Sequence, residues 1–435
     1  MDNEIMKFTE EIIKDLKKKK SSITYKPLGL NFNPFPPAGL PRFLLPPFDE
    51  SYADIIMQFI RSTYLAPIKQ DYAGLTIIGD YGMGKTHLMK YIKEVIDKLS
   101  NGALEERKDV RFSAVTCFVD KPDDAPQIVI HKIVEQIGID NIRKYIGRIL
   151  LSEFSKDKKA FIGKFRSKQP SLFDSKSYWD KLFEEPAISN FLEFLSRFKE
   201  VHGELASLQE AARDIIRKEI VPDSTLADRY LDLVFEEKKA ATSWDILAGY
   251  VSNRNIQKKE VMFLNSIVGI LKHVGFHQLY VFVDEFEDVS KLKGAKLSNY
   301  LITLNTLINK EGRWALVVSL TKDAIVIIKK ESAPLYDRLT SFAIKLDPLN
   351  QKKAKKMIVG YLNLARTTAG SSILPFTDET IKEMLNIAEG NCRSFILLAH
   401  KVLDEAIRKN KTKITSEIVV KAKRLRYEEK YDQSI

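Results

Sequence analysis

Gly79, Gly84, Lys85 and Thr86 fall in the spacing G-x-x-x-x-G-K-[ST] within "LTIIGDYGMGKTHLMKYI", residues 75–92. That pattern builds a loop whose backbone amides cradle phosphates. Gly79, Gly82 and Gly84 permit backbone conformations closed to other residues and a close approach to the anion. The whole loop, Gly79, Asp80, Tyr81, Gly82, Met83, Gly84, Lys85, Thr86 and His87, is therefore the candidate nucleotide cradle. Lys85 is placed to meet the β- and γ-phosphates of ATP, and Thr86 to offer its hydroxyl to Mg2+.

A phosphate loop needs an acidic partner before a reaction can be named. "LYVFVDEFEDV" (residues 279–289) carries an apolar run that ends in Asp284 and Glu285. If the run is a parallel strand beside the loop's strand, both carboxylates arrive near the phosphates. Asp284 then holds hydrated Mg2+, and Glu285 polarises the attacking water.

The elements that must position these groups are legible from periodicity. Leu75–Ile78 is a strand-like run, whereas Leu88, Met89, Ile92, Val95, Ile96 and Leu99 recur at helical spacing. Further strand-like runs are Val110–Val119, Ala315–Thr321 and Phe342–Leu349. Five strands separated by helical stretches predict an α/β P-loop fold with a five-stranded parallel sheet.

With these motifs the chain resembles the AAA+ ATPases, and most of all the branch of the origin-recognition initiators, the ExeA-type ATPases and the transposon-targeting ATPases. The resemblance covers Leu28–Val119 and Val261 to about Arg424. It implies that "GLNFNPFPPAGLPRF" (29–43) lies near the adenine. It also implies a polar sensor at the end of the fourth strand, for which Ser319 and Thr321 are the candidates. "LYDRLTSFAIKLDPLNQKKAKKMIVGYL" places Arg338 where the family carries an arginine finger that reaches a neighbouring subunit's nucleotide. The alternative is a surface arginine paired with Asp337 or Glu331. "EGNCRSFILLAHKVLDEA" resembles the second sensor in a helical lid, with Arg393 facing the γ-phosphate. The resemblance thus implies ATP and Mg2+ as cofactors, ATP hydrolysis as the activity, and a homo-oligomer.

Thr86 and Asp284 are 198 residues apart, farther than a compact core of this family requires. The predicted organisation is a helical arm (1–27), the first part of the core (28–138), a helical insertion (139–259), the second part of the core (260–350), and a lid with a basic tail (351–435). Large helical insertions before "HVGFHQLYVFVDEFE" also resemble ATP-binding proteins of BREX-type phage-defence islands. That likeness implies mobile-element or antiviral defence biology and protein partners from the same operon.

Net charge is +11, but it is concentrated. Between Arg143 and Lys168 there are nine Lys or Arg against two acids. Arg143, Lys144, Lys156, Lys158, Lys159, Lys164, Arg166 and Lys168 are candidate contacts to duplex DNA. Tyr145, Phe154, Phe161 and Phe165 are interleaved with them. Such a segment either follows a phosphate backbone and stacks on bases, or is a solvated helical face whose rings turn inward. After the lid only the basic tail follows, so a winged helix like that of the initiators is not expected. DNA contact then falls to the insertion, the tail, or the loop "SKLKGAK" with Lys291, Lys293 and Lys296.

No apolar run reaches the ~20 residues of a membrane span, and the charged N-terminus does not read as a secretory signal. Cys117 and Cys392 make no disulfide or metal pattern, as a reducing cytoplasm favours. A signalling switch that binds a protein partner through the insertion, and a P-loop kinase for a small substrate, are the competing functions.

Overall fold

The computed structural model describes residues 24–37, 45, 50–64, 72–106, 114–122, 126–165, 182–183, 188–198, 204–236, 240–245, 256–309 and 314–423. Arg166, Lys168, most of the N-terminal arm and the end of the basic tail lie outside them. The chain divides into two units. One comprises residues 51–79 and 88–345; the other comprises residues 1–50, 80–87 and 346–435.

The first unit holds the sheet. Its strands are β1 (Tyr72–Ile78), β2 (Ala114–Val119), β3 (Gln278–Val283), β4 (Trp314–Leu320) and β5 (Phe342–Lys345). All pairings are parallel, in the spatial order β2-β3-β4-β1-β5. The fold is thus the expected α/β P-loop class. Every residue of β3 and β4 is buried, which is why these stretches are continuously apolar rather than alternating. At the edges, β2 and β5 are only partly buried.

Two strands end earlier than the apolar runs suggest. β4 stops at Leu320 because the Thr321 hydroxyl caps helix Lys322–Glu331, accepting from the Ala324 N–H. β5 stops at Lys345, before the Asp347-Pro348 step, where proline offers no N–H to a ladder.

Between β2 and β3 the same unit carries helices α1 (Pro126–Ile137), α2 (Ile139–Ser155), α3 (Lys158–Phe165), α4 (Ile188–Arg197), α5 (Glu204–Glu219), α6 (Ser224–Phe235) and α7 (Ile256–His273). Ile142, Ile146 and Leu150 of α2 meet Phe191, Phe194, Leu208, Ile216 and Tyr230 in one apolar cluster, and that cluster is continuous with the buried residues of β3 and β4. The insertion is therefore packed onto the sheet's core. α2 and α4 approach closely: a Cβ on Gly147 would stand 3.0 Å from Leu192.

The second unit is built on α8 (Gln351–Ala365), α9 (Asp378–Ala388) and α10 (Cys392–Arg408). Each begins at a side-chain cap, from Asn350, Thr377 and Asn391 respectively. Tyr25, Leu28, Leu30 and Phe35 join the apolar core of these helices, with Phe35 packed against Tyr361 and Phe376.

Candidate nucleotide site

In the second unit, the glycine loop turns through two left-handed residues, Gly82 (φ 80°) and Gly84 (φ 97°), and Lys85 then opens a helix that runs Lys85–Glu106. Lys85 is largely buried and Thr86 is exposed. The Met83 N–H donates to the Asp80 carbonyl at 3.3 Å, and the His87 ring Nε2 lies 2.9 Å from the Leu45 carbonyl. A glycine turn followed directly by helix amides is an anion-binding arrangement, and a hydroxyl beside it is a hard oxygen donor suited to Mg2+. The residues present fit a bound nucleotide phosphate.

The loop is docked on the N-terminus of α10. Asn391 serves both partners: its Oδ1 accepts from the Ser394 N–H at 3.0 Å, and its Nδ2 donates to the Tyr81 carbonyl at 2.7 Å. The Arg393 N–H donates to the Gly82 carbonyl at 3.0 Å. The Arg393 guanidinium sits 5.9 Å from the Tyr81 ring centroid and donates to its hydroxyl at 3.2 Å. Gly82 has no room for a side chain, because a Cβ there would lie 2.7 Å from the Asn391 amide. The sequence places Asn391 at a helix start and Tyr81 in the phosphate loop, but gives no sign that the Asn391 amide and the Arg393 guanidinium both meet Tyr81.

In the first unit, the acidic pair leaves the end of β3. Register pairs Val283 with Val318, so Asp284 comes opposite Ser319. Ser319, fully buried, donates its hydroxyl to Asp284 Oδ1. The same hydroxyl oxygen accepts from the Glu285 N–H at 3.0 Å, and the Ser319 carbonyl accepts from Phe286 at 3.1 Å. These bonds hold Glu285 at φ 50°, a left-handed conformation that a non-glycine residue adopts at a cost. Of the two sensor candidates, Ser319 meets the acidic pair, whereas Thr321 is the helix cap described above. Gly79, just after β1, donates to the Leu320 carbonyl at 3.0 Å.

Arg338 stands in the last turn of helix Ala333–Leu339 and donates to Asn305 Oδ1 at 3.2 Å, rather than to Asp337 or Glu331. The basic segment divides by chemistry. Its rings are taken up by packing: Phe161 and Phe165 are buried, Phe154 lies against Phe161 and Phe191, and Tyr145 lies against Phe276. Among its cations, Arg143 donates to the Leu233 carbonyl at 2.8 Å and Lys156 pairs with Glu153 at 2.6 Å. Lys158 and Lys164 lie over the Phe183 and Phe165 rings, while Lys144 and Lys159 are exposed. Of the two readings of this segment, the inward-turned rings are what the structure has.

A polar cluster in the second unit had no sequence signal. His400 Nδ1 lies 2.6 Å from the Phe35 carbonyl and its Nε2 lies 3.3 Å from Asp404 Oδ2. Asn33 donates to Asp404 Oδ1 at 2.8 Å and to the His400 carbonyl at 3.0 Å, and Tyr25 donates to Asp404 as well. Burial works against charge on His400, but the hydrogen bond and charge of Asp404, with the Phe35 carbonyl, raise its pKa overall. Burial also opposes charge on Asp404, and the donors His400, Tyr25 and Asn33 outweigh it and lower its pKa. Among the described residues no helix is long and apolar enough to cross a membrane, and no group of three or more His, Cys, Asp and Glu is placed to hold a metal ion.

No protein-family model and no curated protein matches the chain. Among solved structures it is similar to the Aeropyrum pernix ORC2 protein in ADPNP-ADP complexes, with 12% identity over 88% of this chain and 70% of that one and a TM-score of 0.47. The Aeropyrum pernix ORC1 protein in complex with DNA aligns over 88% of this chain and 67% of its own, at 9% identity and a TM-score of 0.44. Cdc6p from Pyrobaculum aerophilum aligns over 88% and 69%, at 11% identity and a TM-score of 0.42.

Proposed function

We propose that this protein binds ATP with Mg2+ and hydrolyses it, acting as a homo-oligomer. The observation that carries the reading is the glycine turn at Gly82 and Gly84 running directly into a helix that opens with Lys85 and Thr86. Bound there, Mg2+ supplies charge neutralisation on the phosphate oxygens. Lys85 adds a fixed cation to the phosphates, Thr86 and Asp284 are the oxygen donors for the metal, and Glu285 accepts a proton from water as its oxygen bonds to the γ-phosphorus. The bond from that phosphorus to the bridging oxygen breaks, and ADP and phosphate leave. Arg393 is assigned to the γ-phosphate, and Arg338 to the nucleotide of a neighbouring subunit.

The wider role we infer is engagement of duplex DNA in mobile-element or phage-defence biology, together with protein partners encoded nearby. The exposed cations of Arg143–Lys164 support phosphate contact by charge alone, since the rings of that segment are buried in packing. The same burial favours a second reading, in which the insertion is a rigid helical body that binds a protein partner and the nucleotide state switches that contact.

The test pairs two variants and one ligand. Lys85→Ala is expected to lower ATP affinity by about 100-fold or more, whereas Glu285→Gln retains ATP and loses turnover by about 100-fold or more. Equal loss of nucleotide affinity in both would remove Glu285 from its role. ATPase rate with and without duplex DNA then separates the two wider readings: stimulation by DNA supports the first, and indifference to it favours the switch.

A further inference from the structure

We infer that Tyr81 is a positioning residue for Arg393, and that through it the phosphate loop distinguishes ATP from ADP. This rests on the reading of Arg393 as a γ-phosphate ligand. Tyr81 lies inside the phosphate loop yet is 71% exposed, so burial does not account for an aromatic residue there. What it does meet is Arg393, whose guanidinium donates a hydrogen bond to the phenol oxygen at 3.2 Å and lies 5.9 Å from the ring centroid, at the hydroxyl end of the ring.

The backbone on both sides is fixed independently. The Tyr81 carbonyl accepts from Asn391, and the adjacent Gly82 carbonyl accepts from the Arg393 N–H. The base of the tyrosine and the base of the arginine are therefore already registered against each other, and the phenol contact selects among the rotamers left to the arginine head. A long, flexible cation loses much rotamer entropy when it binds. A cation held beside the loop in advance loses less, and that saving applies only to a ligand that engages it. ATP carries the γ-phosphate that meets Arg393, whereas ADP does not. Restricting the arginine therefore raises ATP affinity relative to ADP.

The chemistry of the side chain predicts a graded response. Tyr81→Phe keeps the ring and loses the hydrogen bond; Tyr81→Ala loses both. A cation on an exposed ring is worth on the order of a few-fold in an equilibrium, and a hydrogen bond to a charged group contributes similarly. Tyr81→Ala is thus expected to reduce the ratio of ATP to ADP affinity by roughly three- to tenfold, with Tyr81→Phe between it and wild type.

Equilibrium titrations with ADP and with a non-hydrolysable ATP analogue, on wild type, Tyr81→Phe, Tyr81→Ala, Arg393→Ala and the Tyr81→Ala/Arg393→Ala double variant, test the inference. Support is a graded fall in the affinity ratio across the two tyrosine variants and no further fall when Tyr81→Ala is added to Arg393→Ala. The inference is overturned if Tyr81→Ala weakens both nucleotides equally, if its effect adds in full to that of Arg393→Ala, or if Arg393→Ala itself leaves the ratio unchanged. A wild-type protein that binds neither nucleotide removes the ATPase reading as well, a result distinct from all of these.

Discussion

Ser319 donates its hydroxyl to Asp284 from the neighbouring strand, 35 residues later in sequence, and takes the Glu285 N–H on the same oxygen. One buried side chain therefore orients the carboxylate proposed to bind the metal and pins the turn that aims the proposed base. Ser319→Ala is expected to reduce turnover roughly tenfold while ATP affinity changes much less, because about 1.4 kcal/mol is lost where a charged acceptor loses a donor. Steady-state kinetics beside nucleotide titrations check it. Unchanged kcat would mean that the Glu285 conformation is held by Phe286 and the strand register alone.

Arg338 donates to Asn305 within its own unit, and among the described residues it makes no ion pair. If it acts across a subunit interface, Arg338→Ala lowers turnover by about 1,000-fold in the assembled protein. ATP affinity of the isolated subunit stays near wild type. Mixing Arg338→Ala with Glu285→Gln subunits then restores part of the activity, since each supplies what its neighbour lacks. Failure of that rescue in demonstrably mixed assemblies would count against a finger at this position.

The cluster joining Asp404 and His400 to the segment with Asn33 and Phe35 predicts a pH dependence of stability. His400 has a raised pKa in the fold, so its contribution is complete below its unfolded pKa of about 6.5 and is lost as pH rises through the folded value. Asp404 has a lowered pKa, so its contribution is present above the unfolded value of about 3.9 and is lost as pH falls through the folded one. Both operate together in mildly acidic solution. The gap in unfolding free energy between wild type and His400→Ala, followed by thermal unfolding at a series of pH values, should be widest there, on the order of 1 kcal/mol, and should narrow towards pH 9. A gap that does not vary with pH would show packing of the ring, not its charge, to be what matters.

Replacing Lys156, Lys158, Lys159 and Lys164 with Gln tests the basic face. Each phosphate contact removed should lower the slope of log affinity against log salt by about one unit, with sequence preference little altered. The ion pair of Lys156 with Glu153 is a surface one and costs little to break. Basal ATPase serves as the folding control. An unaltered affinity and slope on duplex DNA would make the segment a solvated face and advance the partner-binding reading of the insertion.

Local chemistry determined much about this protein before any fold was known. A glycine loop works through its own backbone, so Gly79 to Thr86 announces itself by spacing, and a strand covered on both faces must be apolar throughout, so β3 and β4 are legible as runs. A helix start needs a cap within a few residues, which makes Asn391 readable in principle. What the tertiary structure decided are contacts between residues far apart in sequence. The alternation of ring and cation from Tyr145 to Phe165 is the same pattern for a nucleic-acid face and for a packed helix; only the arrival of Phe183, Phe191 and Phe276 settles where the rings go. The choice between Ser319 and Thr321 turns on strand register: Val283 pairs with Val318, so Ser319 comes opposite Asp284, and only a two-residue shift would bring Thr321 there. The union of Tyr25 and Asn33 with Asp404 and His400 spans the length of the chain, and no periodicity within either segment encodes a hydrogen bond to the other.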